Sequence, residues 1–499
     1  MRSAQSRDWR KFSRQKWLLL LVLAACSVAL KEVRGAEPSL QRPNILFLMA
    51  DEFTHNCLGV AGHPIVKTPN LDRLARQGVR FTNAYAASPV CSPSRATLFT
   101  GRYPHIHGVV RNGLALNPGE VALPELLKSY GYVTHMVGKL HLPPDEWFPN
   151  PLITAGGRGK EYQQFLKEKK PLFTGASNTA AVPETLITYK SPCKGRDRAP
   201  LRIGTSVLPE ELYEEAWVAD RAIDFLRTQE DSERPWFLFV SMLKPHSAFV
   251  IPQPYATMYR PGEMPLPDTF RPNVECFRLS KLDPNPRAFI NDSSVLREVM
   301  AHYYGAITLV DRHMGRVLDA VEQLGMSENT IFVFTADHGN MLGERNRMFK
   351  GVMYESSVKV PLLLKAPGKL EGGKVIDAVL DNTAVMPTLL ELAGISVPAG
   401  LQGRSLMAVA QGDTSKWPQT AFSVLRHRMA RLKQWKLIVP DEDDAPEPEL
   451  YDLAQDPKEK HNLSGRPELA EVQHQLETTL EKWWKQKPPQ VKLADGPKR

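Results

Sequence analysis

A mostly parallel α/β sheet with helices on both faces, followed by a smaller C-terminal α+β domain with a short antiparallel sheet, is the fold class this sequence predicts. Three observations carry it: strand-length apolar runs that each stop at a polar cluster, helical patterns between them, and a change to short strand-like segments after Leu401. Strands that alternate with helices imply a parallel sheet covered on both faces, and in such sheets ligands bind beyond the carboxyl ends of the strands. At 499 residues the chain exceeds the size at which a single core stops growing, so a large domain with a smaller one appended is expected.

The first run, residues 44–50 (Asn-Ile-Leu-Phe-Leu-Met-Ala), is apolar throughout, as in a strand buried on both faces, and stops at Asp51-Glu52. Residues 133–137 lead into Gly138-Lys139-Leu140-His141. Residues 236–242 end at Leu243-Lys244-Pro245-His246, and residues 331–335 stop just before Asp337-His338-Gly339. Between them the spacing predicts helices over 70–77, with Thr68 as cap, Pro69 in the first turn and Gly78 as terminator, over 210–227, and over 296–324, closed by Gly325. Residues 143–207, rich in Pro, Gly, Lys and Arg, read as loops over the sheet edge. In the C-terminal part, strands are expected at 420–425, 434–439 and 449–452, before an amphipathic helix around 468–485. Four polar clusters after four strands are thus expected to converge on one site.

At the N-terminus six basic residues between Arg2 and Lys16 precede an apolar run at 17–30, the pattern of an export signal. Small residues at 33–36 offer ordinary cleavage, whereas Leu23-Ala24-Ala25-Cys26 is similar to a bacterial lipobox in which Cys26 would carry a lipid anchor. The expected divisions are therefore a signal at 1–36, a catalytic domain at 37–400 and a C-terminal subdomain at 401–499. The product would be exported: periplasmic, tethered to the outer membrane, or secreted, with a lipid at Cys26 as its sole expected membrane contact. Residues 1–36 hold eight Lys/Arg against Asp8 and Glu32, a net +6 of the chain's +8, so the basic balance belongs to the signal and implies no nucleic-acid partner. Five cysteines are too few for a disulfide framework; Cys57, Cys193 and Cys276 allow at most one pair, which the sequence leaves open.

Cys91-Ser92-Pro93-Ser94-Arg95 opens a helical segment that Gly101 terminates, so Cys91 sits where backbone N–H groups and the helix dipole favour anions. Cys-x-Pro-Ser-Arg, followed by Thr100-Gly-Arg-Tyr-Pro-His105, resembles the signature of the type I sulfatases, in which this cysteine is oxidised to formylglycine. The resemblance runs from 43–47 through Thr68-Pro-Asn-Leu-Asp-Arg-Leu74, Gly138-Lys139-Leu140-His141 and Asp337-His338-Gly339 to Glu449-Leu-Tyr-Asp452. It implies the alkaline-phosphatase-like fold, hydrolysis of a sulfate monoester, small or oligosaccharide, and a formylglycine-generating enzyme as maturation partner. A phosphonate monoester or phosphodiester hydrolase on the same scaffold is the alternative. A hydrated aldehyde explains the choice of nucleophile: one geminal hydroxyl attacks sulfur, and the other can later collapse and expel sulfate by C–O cleavage.

Asp51, Glu52, Asp337 and His338 stand at the ends of two expected strands, and three of the four offer oxygen to a hard cation. The resemblance assigns them, with the modified Cys91, to a calcium site, although Glu52 departs from the aspartate common at that place. It likewise implies that Arg95 holds the nucleophile and metal ligands, that Lys139 and Lys350 bind sulfate oxygens, that His141 lies beside the formylglycine hydroxyl, and that His246 serves the leaving group. Lys139 and His141, two apart, would leave one face of an extended segment. His105 and His107 are expected to line or support the pocket, and His135 to be a core residue.

Overall fold

The structure, a computed structural model, describes residues 42–142, 151–154, 157–158, 160–169, 180–193, 200–275, 289–440 and 447–491. The export signal, Cys26 and Cys276 lie outside them. Along the described chain the strands are β1 (Asn44–Asp51), β2 (Val79–Tyr85), β3 (Val133–Lys139), β4 (Pro151–Thr154), β5 (Gly157–Arg158), β6 (Ile187–Tyr189), β7 (Leu201–Thr205) and β8 (Trp236–Pro245). They continue as β9 (Phe249–Ile251), β10 (Thr330–Ala336), β11 (Lys359–Lys365), β12 (Lys374–Asp381), β13 (Thr420–Leu425), β14 (His427–Leu432), β15 (Trp435–Pro440) and β16 (Glu449–Asp452).

The main sheet runs β12-β2-β11-β10-β1-β8-β3-β4-β5. Its centre, β10-β1-β8-β3, is parallel throughout, with Ile45 opposite Ile331 on one side and Phe237 on the other. Every residue of β1 and β8 is buried, as their uninterrupted apolar runs require. Because these four strands are adjacent and share one direction, their carboxyl ends form a single rim, and the clusters that follow them meet there. The antiparallel members are β11 and β5.

The helix Cys91–Thr100 has all ten residues buried although Ser92, Ser94, Arg95, Thr97 and Thr100 are polar, so those side chains must find partners inside the protein. Phe99 packs edge-on against Phe239 of β8 at 5.1 Å and lies 6.5 Å from Phe47 of β1, which fixes the helix to the sheet. Burying an aromatic or aliphatic side chain of this size contributes about 1.5–3 kcal/mol. Gly101 adopts φ +62, the left-handed conformation that ends the helix.

The helix Pro69–Gln77 begins at Thr68 as the sequence indicates, but the hydroxyl does not cap backbone N–H groups. It donates to Asp72 at 2.9 Å, and the free N–H groups of Asn70 and Leu71 are taken by Asp311 of the long helix Ser293–Gln323. Residues 143–207 depart from the expected loops: β4 and β5 extend the main sheet, Lys160–Lys169 is helical, and β6 and β7 join β9 in a three-stranded sheet. The helix there is hidden from a sequence reading by charged residues such as Lys167 and Lys169.

The C-terminal sheet is antiparallel in the order β13-β14-β15-β16. Strand β14, His-Arg-Met-Ala-Arg-Leu, has too many basic residues to stand out as a strand, yet its Met429 and Ala430 are buried. The helix Ala470–Trp484 lies on this sheet through Leu476, Leu480 and Trp483, with Trp483 stacked on Phe422 at 4.8 Å. The described residues from Pro43 onward form one compact unit. Cys57 is free and buried in the core, whereas Cys193 is disulfide-bonded.

Candidate active site

The nucleophile candidate occupies the first turn of its helix. Cys91 follows Val90, the extended N-cap, so its side chain and the free N–H groups of the first turn face the rim of the sheet. Ser92 donates its N–H to Asn112 Oδ1 at 2.9 Å and its hydroxyl to the His141 carbonyl at 2.6 Å. Ser94 donates to the Asp337 carbonyl at 2.5 Å and accepts from Asn382 Nδ2 at 2.9 Å. The motif's second serine is therefore a tie between the helix, the end of β10 and the segment after β12.

Arg95 is buried completely and reaches every neighbouring strand end. Its Nε donates to Asp337 Oδ2 at 2.9 Å, its Nη1 to the Lys139 carbonyl at 2.6 Å and to Ser241 Oγ at 2.9 Å, and its Nη2 to Asp51 Oδ2 at 3.3 Å. Such a fork suits guanidinium better than an ammonium because its donors are fixed in one plane. Lys139 pairs with Asp51 and points its Nζ at Cys91 Sγ, 3.6 Å away. The glycine before it is required by packing: Gly138 has φ +96, and a Cβ there would lie 1.9 Å from the Ser241 carbonyl oxygen.

One oxygen of Asp51 and of Asp337, Cys91 Sγ and a ring nitrogen of His338 all lie within 4.8 Å of one another. His338 Nε2 is 3.2 Å from Cys91 Sγ, while its Nδ1 faces the Gly339 carbonyl at 3.0 Å. Burial and the Asp51 carboxylate push the Cys91 thiol up, but Lys139, Lys350 and His338 outweigh them and hold it well below the ordinary thiol range. Burial opposes charge on His338, yet Asp337 and Cys91 raise it to about 9. Two carboxylates, a thiol held toward its anionic form and an imidazole so close together form a donor set suited to a cation, with the imidazole donating in its neutral form. In a formylglycine enzyme the hydrated aldehyde's oxygens would stand where Cys91 Sγ stands.

Glu52 stands beside this set, in a second group that also includes Asp51. Its Oε1 accepts from Asn340 Nδ2 at 2.9 Å and its Oε2 from Lys350 Nζ at 2.8 Å, with His246 Nε2 3.6 Å away. Glu52 has φ 65 and is held by its backbone, the N–H donating to Asp337 Oδ1 at 3.0 Å and the carbonyl accepting from Tyr303 at 2.7 Å. It shares a second group with Asp51 and His246, whose donor atoms also lie within 4.8 Å. Burial raises its carboxyl, against the pull of Lys350. Burial, and next the Lys350 ammonium, hold His246 well below the ordinary imidazole range.

The same-face expectation for Lys139 and His141 does not hold. Strand β3 ends at Lys139, and His141 adopts φ 60, so the segment is not extended between them. His141 still reaches the site through its carbonyl on Ser92, and its Nδ1 is buried with no hydrogen-bond partner among the described residues. His107 supports rather than lines the pocket: Nε2 meets Thr97 Oγ1 at 3.1 Å, and Nδ1 accepts from Val109 N. His105 leaves the site altogether and packs between Trp483 and Trp484. His135 is half-buried and stacks on Phe225 at 4.5 Å.

Asn340, Ser241, Asn382 and Asn112 are the site's polar members that motif reading missed. Asn340, three residues beyond Asp337 in the same loop, was within reach of a sequence argument. Ser241 is hidden inside an apolar strand run, and Asn382 and Asn112 have no local signal.

Comparison with known proteins bears on this geometry. The sulfatase family model matches residues 43–395, and the model for the C-terminal region of N-sulphoglucosamine sulphohydrolase matches 343–486. An arylsulfatase of Clostridium perfringens is 33% identical over 453 residues, covering 86% of this chain and 92% of that one. An N-acetylglucosamine-6-O-sulfatase of Bacteroides thetaiotaomicron is 30% identical over 512 residues, covering 94% and 90%. Among solved structures, one in complex with its substrate D-glucosamine-2-N,6-O-disulfate aligns with TM-score 0.71 at 26% identity, covering 89% and 98%. A phosphonate monoester hydrolase from Silicibacter pomeroyi aligns with TM-score 0.75 at 25% identity, covering 89% and 95%.

Proposed function

This chain belongs to the sulfatase family and is a sulfuric ester hydrolase of alkaline-phosphatase-like fold, and we propose that it removes sulfate from a sulfated carbohydrate after Cys91 is oxidised to formylglycine. The observation that carries the reading is the convergence of Lys139, Arg95, His338 and two aspartates on residue 91. The relatives that act on N-acetylglucosamine-6-O-sulfate, or hold a glucosamine disulfate, support an amino-sugar sulfate as substrate.

Asp51, Asp337, His338 and residue 91 fit a divalent cation, for which calcium suits the oxygen donors. Bound there, the cation would supply Lewis acidity and the formylglycine hydrate the attacking hydroxyl. Arg95 keeps both aspartates aimed at that point. Lys139 and Lys350 bind sulfate oxygens and offset the charge that develops on them. His141 takes up a proton as sulfate is expelled, and His246 delivers one to the departing alcohol oxygen, with Lys350 as the other candidate donor. The anionic ester, once bound near His246, favours its protonated form against the effect of burial.

Maturation by a formylglycine-generating enzyme and export behind residues 1–36, with or without a lipid on Cys26, complete the proposal. The test is sulfate release from a panel of sulfated hexosamines and oligosaccharides, with 4-nitrophenyl sulfate and phenylphosphonate esters run in parallel. Release from the sulfated sugars supports the reading; faster turnover of phosphonate than of every sulfate ester would replace it with the phosphonate monoester hydrolase alternative.

A further inference from the structure

Lys244 has no part in the chemistry above, yet it is a fully buried lysine two residues from His246. A buried ammonium is costly unless it is paired and hydrogen-bonded, so its partners indicate what it is for. Its Nζ donates to the His246 carbonyl at 3.0 Å and to the Ala248 carbonyl at 2.6 Å. Its acidic neighbour is Glu215 of the helix Glu214–Arg227, whose Oε1 accepts the Lys244 N–H at 2.9 Å and whose carboxyl burial raises, against the pull of Lys244.

The chain between β8 and β9 therefore folds around the ammonium of its own strand. Two of the three consecutive carbonyls at 246–248 are gripped by Lys244, and the one between them, of Ser247, faces His246 Nδ1 at 2.7 Å. That contact fixes the ring so that Nε2 is the atom turned to Glu52, 3.6 Å away, and to the reaction site. The grip on the backbone thus sets the aim of the imidazole.

We propose that Lys244 is a positioning residue for proton delivery to the leaving group, acting through the 246–248 carbonyls to orient His246, with Glu215 as its anchor. The proposal rests on the reading of His246 as proton donor. A side chain that merely stabilised the fold would, when lost, slow every substrate alike. One that aims a proton donor matters in proportion to the leaving group's need for a proton.

The experiment uses the full mature enzyme and a series of aryl sulfates whose phenols span weak to strong acids, read as kcat/KM against phenol pKa. His246→Ala should slow phenyl sulfate by about 100-fold or more while changing 4-nitrophenyl sulfate far less, the range general acid catalysis commands. Lys244→Met should tilt the series in the same direction by about 10-fold or more, and the double variant should be no worse than His246→Ala, since residues acting as a unit are not additive. A uniform loss in Lys244→Met beside a selective loss in His246→Ala overturns the proposal and leaves His246 as donor. Uniform losses in both remove His246 from the donor role and Lys244 with it. Should Lys244→Met not fold, Glu215→Gln, which withdraws that carboxyl at constant size, must show the same tilt; a uniform loss there overturns the proposal equally.

Discussion

The Lys350 ammonium donates to Glu52 Oε2 at 2.8 Å, while Asn340 holds the other oxygen of the same carboxylate. This places Glu52 in a second group with Asp51 and His246, beside the cluster of Asp51, Cys91, Asp337 and His338. Glu52→Gln should therefore lower kcat/KM by about 10- to 100-fold, as loss of a partner that orients a site does, with metal content unchanged. Asp337→Ala should lose metal and activity together. Metal analysis of the two purified variants beside wild type checks this; loss of metal in Glu52→Gln would make Glu52 a ligand.

Oxidation of Cys91 has a direct readout in mass. The peptide containing residue 91 should be lighter than the cysteine form by about 18 Da as aldehyde, or nearly equal to it as hydrate, the change expected for conversion to a carbonyl nucleophile. Active enzyme whose residue 91 is entirely cysteine would refute the proposal. Cys91→Ala should be inactive while retaining the folded core.

Lys139 should behave differently from the proton donor. Its Nζ faces residue 91, so under the proposed function it would meet the sulfate of every substrate. Lys139→Ala should slow 4-nitrophenyl sulfate and a sugar sulfate by similar factors, about 100- to 1,000-fold each if it stabilises developing charge as oxyanion donors do. A loss confined to one of the two in steady-state kinetics would assign it to the leaving group instead. The same assay on Lys350→Ala decides whether that lysine shares the donor's role.

A buried ionic cluster outside the site predicts a pH-dependent weakness. Lys436 of β15 lies 3.0 Å from Glu355 and 2.7 Å from Glu459, and Tyr85 of β2 donates to Glu355 at 2.8 Å. Burial, against the pull of Lys436, raises Glu459 to about 7, whereas burial of Glu355 is outweighed by Lys436 and Lys359, which lower it. Glu459 alone thus costs stability as pH rises from its unfolded value of 4.5 to about 7, and Glu355 contributes stability that is lost as pH falls through its folded value. Lys436→Met strands both carboxylates and should destabilise by about 3–5 kcal/mol at neutral pH. The deficit should shrink as acid protonates them, measured as urea midpoints between pH 5 and pH 8, a span on the order of the raised carboxyl's titration. A deficit independent of pH would show that packing, not charge, is lost.

Ser94→Ala removes the hydroxyl that joins Asp337 to Asn382. The expected cost is about 1–3 kcal/mol, the penalty for leaving buried groups unpaired, together with reduced activity because Asp337 is one of the tied residues. Denaturant unfolding and kcat/KM on the same preparation measure both; an unchanged midpoint would show that the tie is redundant.

Much of this was legible in the chain itself. The runs at 44–50, 236–242 and 331–335 are read as buried strands because an unbroken apolar stretch of that length has few other uses, and each is a strand of the central parallel sheet. The resemblance at Cys91 and Asp337 names the family from motifs alone. By contrast β14 escapes notice because Arg428 and Arg431 interrupt its pattern, and the helix cap at 69–77 is misread because its acceptor, Asp311, lies some 240 positions away.

By itself the sequence determined which residues have the chemistry to act and that four polar clusters among them stand at the ends of buried strands, since periodicity, caps and composition are local properties. Only the tertiary structure decided which of them touch. Strand order places β10, β1, β8 and β3 side by side, so that Asp337, Asp51, His246 and Lys139 share one rim although Asp51 and Asp337 are 286 residues apart. It also turned Glu52 toward Lys350, broke the line from Lys139 to His141, and folded 246–248 around Lys244. Those outcomes depend on backbone conformation and on partners from distant strands, and no window of sequence contains both halves of such a contact.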